Sequence, residues 1–232
     1  MRRRWDLDAA RIDNIIHLLE SNGVRIYSLP SDLAAVGTFS LWHADRPYFL
    51  LDRRQAAGAV SLDAACQLGH LLLRRGVTPA ERKAEQQARV FTRALLMPAD
   101  TLKAQAERTL SVDWPEAESH RWNVPVSALL NRLHELGELS DWHFRHLALR
   151  GVKPAGSGED SRQNFVPATL PAVFAALRQR GITRRTLGRE LHIHFQDVDQ
   201  LVFGQASAQL HDEASPERDA VKLRPRLAIV RP

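Results

Sequence analysis

The sequence predicts an α+β fold, a small core of helices and short strands followed by helical modules. Three features carry this expectation. Apolar residues recur with helical period, first at Ile12, Ile15, Ile16 and Leu19. Short runs of β-branched and aromatic residues lie between positions 24 and 51, each closed by turn residues. Beyond position 60 the pattern is helical wherever it is periodic.

Each element has its own signal. The first helix stops at Asn22-Gly23, and Val24 to Leu29 reads as a strand closed by Pro30. Thr38 to Trp42 and Tyr48 to Leu51 read as two more strands around a turn at residues 44–47. Helices are expected over Val60 to Arg75 and over Ala80 to Met97, the second stopped by Pro98. Val126 to Leu136 is amphipathic and ends at Gly137, and Ser140 can cap the helix that follows. Residues 151–161, rich in Gly, Ser, Pro and charge, read as a linker. Leu170 to Arg180 and Thr183 to Leu201 then form a compact helical unit with a helix-turn-helix rhythm, capped by Thr183 and turning near His192. The expected organisation is a core at 1–100, a helical extension at 101–150, a linker at 151–165, a helix-turn-helix-like module at 166–204 and an irregular tail at 205–232.

Composition narrows the function classes. In 232 residues the single cysteine, Cys66, excludes an intrachain disulfide framework, and no apolar run has the roughly 20 residues of a membrane helix. The Arg-rich start has no apolar segment behind it, so a cytoplasmic protein with no membrane partner is expected. The net charge of +5 invites a nucleic-acid reading. Basic residues outnumber acidic ones only by 20 to 18 in residues 1–150 and by 12 to 9 in 151–232, so no basic stripe is evident.

The chemistry concentrates in residues 64–73, Ala-Ala-Cys-Gln-Leu-Gly-His-Leu-Leu-Leu. Cys66 and His70 are four apart, on one face of the predicted helix, where two side chains can grip one ion. Glu85 opens the block EQQARVFTRALLMP on the next helix. A zinc peptidase built on H-E-x-x-H needs two such helical ligands, a third from elsewhere, and a glutamate that takes a proton from zinc-bound water.

These blocks resemble the ImmA/IrrE family of metallo-endopeptidases, whose helix reads A-H-E-L-G-H-L-L-L before E-x-x-A-N-x-F-A-x-x-L-L-M-P. The second block stands here as Glu85, Ala88, Phe91, Ala94, Leu95, Leu96, Met97 and Pro98. Phe39-Ser40-Leu41-Trp42 and Pro47 to Asp52 look like the strands before the motif, and Trp122 to Gly137 like its helical continuation. Residues 181–204 resemble the C-terminal unit of the longer, regulator-like members. The resemblance implies a zincin-like core, zinc as cofactor and Cys66, His70 and Glu85 as ligands. It also implies a helix-turn-helix repressor or cognate regulator as partner, which family members cut or otherwise inactivate.

Two departures fall on the chemistry. Cys66 replaces the first histidine, and a thiolate can still ligate zinc. Gln67 replaces the catalytic glutamate, and an amide cannot accept water's proton, a loss of about 10²–10⁴ in rate. Arg89 also stands where the family has asparagine. The leading expectation is therefore a regulatory pseudo-peptidase that binds its partner without efficient cleavage. The alternatives are an active zinc endopeptidase, which needs a base recruited from elsewhere, and a DNA-binding regulator using Arg184, Arg185 and Arg189.

Plainer readings stand beside these. Taken singly, Cys66 is a small buried hydrophobe, His70 a structural histidine and Glu85 a solvated helix residue. His143 and His146 read as an exposed helix face, and His192 and His194 as surface residues. Trp114, Trp122 and Trp142 read as buried anchors. The acidic run Gln196 to Gln200, in the position of a base-reading helix, favours packing over DNA contact.

Overall fold

A computed structural model describes residues 1–52, 54–73, 81–106, 114–149, 167–204, 206 and 210. Among them lie ten α-helices and one three-stranded mixed sheet, the α+β class the sequence predicts. The expected linker at 151–165 and most of the expected tail lie outside the described residues.

Helix α1 runs over Ile15–Ser21, later than the apolar period suggests. The Asn14 side chain accepts hydrogen bonds from the amides of Ile16 and His17, which fixes the start there. Ile12 stays buried ahead of the helix beside Ile15, Ile16 and Leu19. Strand β1 is Arg25–Ser28, β2 Phe39–His43 and β3 Arg46–Leu51. The sheet order is β1-β3-β2, with β1 parallel to β3 (Ile26 opposite Phe49) and β2 antiparallel to it (Ser40 opposite Phe49). The hairpin turn is shorter than residues 44–47. Only Ala44 and Asp45 form it, both at positive φ (47° and 59°), the mirror-image turn that matches strand twist. Pro47 thus lies in β3, opposite Trp42 and ahead of Tyr48, where pairing with β1 begins.

Helix α2 (Ala57–Leu73) lies across the sheet, and α3 (Glu81–Leu96) crosses α2. Gly69 brings these two helices together. A Cβ there would stand 3.1 Å from Phe91 Cδ1 and 3.2 Å from Cα of the fully buried Ala88. The extension comprises α4 (Ala99–Ala106), α5 (Trp114–Trp122), α6 (Val126–Glu135) and α7 (Asp141–Leu149). Its side of the core supplies Leu102, Trp114, Trp122, Leu129 and Leu133, packed with Phe49, Leu51, Leu68 and Met97. Trp142 departs from its expected role as a buried anchor. It is 67% exposed, because no residue of α7 is buried, and it stacks on His146 one turn along.

Helices α8 (Thr169–Gln179), α9 (Arg184–Leu191) and α10 (Phe195–Leu201) form the last unit. Thr183 accepts the amide of Thr186 to cap α9, and His192 ends it in the left-handed region. A Cβ on Gly188 would stand 2.9 Å from the Ile193 carbonyl oxygen, so the turn into α10 needs glycine there. The unit has its own small core of Phe174, Val198, Val202, Ala206 and Leu210, against which Tyr27 of β1 packs. Two further ties bind it to the rest. The Ser28 hydroxyl donates to the Gln200 carbonyl, and the Glu20 carboxylate accepts from the amides of Ala168 and Thr169 at the start of α8. No helix among the described residues is long and apolar enough to cross a membrane.

Candidate metal centre

The α2–α3 crossing sets the site. Cys66 and His70 lie one turn apart on α2, and the close approach at Gly69 and Ala88 brings Glu85 of α3 over His70. Cys66 Sγ lies 3.7 Å from His70 Nε2, and His70 Nε2 lies 3.2 Å from Glu85 Oε2. One ligand atom from each residue falls within 4.8 Å of the other two, so the three could hold a metal ion. Bonds of about 2.0 Å to nitrogen or oxygen and 2.3 Å to sulfur separate the donors of tetrahedral zinc by roughly 3.3–3.6 Å. The two short separations here match that spacing, and a thiolate, an imidazole and a carboxylate suit zinc chemically. Cys66 is half-buried, and the His70 side chain is 14% exposed.

Without a metal the thiol stays protonated. Burial raises its pKa most, the Glu85 charge raises it further, and the Thr92 hydroxyl opposes both in part. A bound cation reverses this, since a coordinating thiol is deprotonated.

Gln67 faces the sheet rather than a free proton. Its Nε2 donates to the Thr38 carbonyl at 3.0 Å, and its Oε1 accepts from the Ser40 hydroxyl at 2.8 Å. Because a carbonyl only accepts, the Thr38 contact fixes which end of the amide is nitrogen. Both ends of the side chain in the general-base position are thus committed to the segment entering β2.

Two cavities flank the trio. One, of about 290 Å³ between α2, α3 and α6, is lined by Asp63, Cys66, Glu85, Arg89, Arg93 and Asn131 among others. The other, of about 310 Å³, lies along β2 and is lined by Ser40, Leu41, Trp42, Gln67, His70 and Glu85 among others. Strand β2 is an edge of the sheet and exposes Leu41 and Trp42, while the Trp42 indole donates to the Leu71 carbonyl.

A model of the IrrE N-terminal-like domain matches residues 19–134, half of the chain. The chain belongs to the IrrE N-terminal-like family. That match takes in the whole sheet, the α2–α3 crossing and every residue of the trio. Membership makes this a regulatory metallopeptidase-like protein. No curated protein and no solved structure matches the chain.

Within this IrrE-like core the sequence missed one residue and named a second only as a departure from the family pattern. Asp63 lies one turn before Cys66 and lines the same cavity. Its pKa is raised chiefly by burial, against a 2.9 Å hydrogen bond from Gln55 and with a small push from Asp52. Its spacing of three from Cys66, on the same helical face, was the available signal. The second is Arg89, whose Nε lies 3.0 Å from Glu85 Oε1.

The residues considered for DNA contact lie outside the matched segment. Arg185 and Arg189 are exposed on α9, whereas Arg184 is half-buried with its guanidinium over the Phe195 ring at 5.5 Å. Helix α10 exposes Gln196 and Asp197 and buries Val198 in the small core against β1. His143, His146, His192 and His194 are all exposed.

Proposed function

We propose that this member of the family is a pseudo-peptidase, which engages a helix-turn-helix repressor or cognate regulator in the cleft along β2 and does not cut it efficiently. The observation that carries this reading is the Gln67 amide, held at both ends by Thr38 and Ser40 in the position of the family's base. Cys66, His70 and Glu85 would hold zinc, which when bound polarises a peptide carbonyl and acidifies water. The residue beside them would keep its amide in the wall and take no proton. The edge strand β2 offers backbone donors and acceptors to an extended segment, and Leu41 and Trp42 offer apolar contact. Affinity alone suffices to sequester a regulator.

An active zinc endopeptidase is the second reading. It is favoured by one observation, the Asp63 carboxyl in the cavity that also holds Cys66 and Glu85. The test is to incubate the full-length protein and one equivalent of zinc with purified helix-turn-helix regulators encoded beside it. Complex formation and the partner's intact mass are then followed together. A stoichiometric complex with the partner uncut over hours is expected. Zinc-dependent cleavage that disappears in Asp63→Asn would instead establish the second reading.

A further inference from the structure

Arg89 holds the third member of the trio from within the cavity that Cys66 and Glu85 also line. It follows Glu85 by one helical turn on α3, and its Nε lies 3.0 Å from Glu85 Oε1 while the other carboxylate oxygen lies 3.2 Å from His70 Nε2. A positive charge therefore already sits on the carboxylate that a metal would need. We propose that Arg89 competes with a divalent metal ion for Glu85 and sets the metal affinity of the Cys66–His70–Glu85 centre low. This rests on the reading of that trio as a metal centre.

The sign follows from charge and from the direction of the hydrogen bond. A carboxylate behind a histidine ligand accepts its proton and raises the ligand's basicity, which strengthens a metal site. A guanidinium donates to the carboxylate and draws electron density away from the metal. A thiolate and a carboxylate together neutralise a divalent ion, so in the loaded site Glu85 no longer offers Arg89 an uncompensated negative charge. The same ion pair would tie the metal-free site, because Glu85 then bridges Arg89 and His70 across the helix crossing. Arg89 can swing outward, since its side chain is 65% exposed, so the competition is graded.

The experiment measures cobalt(II) and zinc affinity of the full chain and of Arg89→Gln, Arg89→Lys and Cys66→Ser. Cobalt is followed by the thiolate-to-metal absorption in the near ultraviolet, which needs no substrate. Zinc is measured by competition with a chelator of known affinity, and circular dichroism melts confirm that each variant folds. Arg89→Gln is expected to bind about tenfold more tightly, the order expected from removing one unit of like-charge repulsion a few ångströms from a divalent ion at a solvent-exposed site. Arg89→Lys, which keeps the charge, is expected within about threefold of the parent, because exposed pairs of this spacing contribute little beyond charge. Cys66→Ser is expected to lose the absorption. Equal or weaker binding by Arg89→Gln, with the thiolate band present in both proteins, overturns the role of Arg89 and leaves the metal centre standing. Absence of the band and of zinc binding in every protein overturns both.

Discussion

Gln67 shows how one atom changes what a position can do. Its Nε2 donates to the Thr38 carbonyl, so Gln67→Glu would set a carboxylate oxygen against a carbonyl oxygen. The variant is expected to lose about 1–3 kcal/mol of stability, or several degrees in Tm, with no gain in hydrolysis; differential scanning calorimetry checks the first and a casein assay the second. An unchanged Tm would mean that the side chain swings away from β2. Asp52, buried at the end of β3, provides a test in pH. Hydrogen bonds from the Arg54 side chain hold its carboxyl below the ordinary range, against the opposing pull of burial. A lowered folded-state value stabilises the fold above the ordinary carboxylate pKa of about 3.9 and loses that contribution as pH falls through the folded value. With Arg54 mostly exposed, Asp52→Asn is expected to cost only about 1 kcal/mol at pH 7, and the gap between the melting curves should close as pH falls below the ordinary carboxylate range. The spacing of Cys66, His70 and Glu85 was legible because it is local on two helices. The tether on Gln67 was not, because Ser40 and Thr38 lie 27 and 29 residues away across the strand-to-helix connection.

At the level of elements, the small residues at the α2–α3 crossing decide whether two sequence-distant side chains meet. Gly69→Val would put branched carbon where even a Cβ lies 3.1 Å from Phe91 and 3.2 Å from Ala88. The helices must separate, at a cost of about 1–3 kcal/mol from overpacking alone. Since the crossing carries Glu85 to His70, metal binding by the same variant should weaken at least in step with its Tm, as titration with cobalt would register. Residues with period and punctuation read well: the three strands and the helices around the trio fall within a few residues of expectation. The errors have local causes. Asn14 caps α1 three residues later than the apolar period begins, and the Ala44-Asp45 turn leaves Arg46 and Pro47 inside β3. Trp142 was misplaced because aromatic size argues for burial, whereas α7 has no layer outside it among the described residues.

Over the whole molecule, the final helical unit is tied to the core by contacts that no local pattern announces. Glu20 reaches the start of α8 across 148 residues of sequence and accepts the amides of Ala168 and Thr169, serving as a cap supplied from another element. Glu20→Ala is expected to remove about 0.5–2 kcal/mol from this end of the molecule, the usual range for a helix cap. Hydrogen exchange would localise that loss, with faster exchange across α8 to α10 and unchanged protection in α2 and α3. Equal acceleration everywhere would show that the two parts open together. The positions of Tyr27 and Ser28 against this unit likewise depend on chain topology rather than on residue period. One property of the entire chain acquires a use from where it falls. Cys66 is the sole thiol and lines a cavity beside the trio, so an alkylating probe has one place to react. Its labelling rate turns the unmodified protein into a reporter of its own occupancy, slowed by whatever ion or polypeptide fills the cleft.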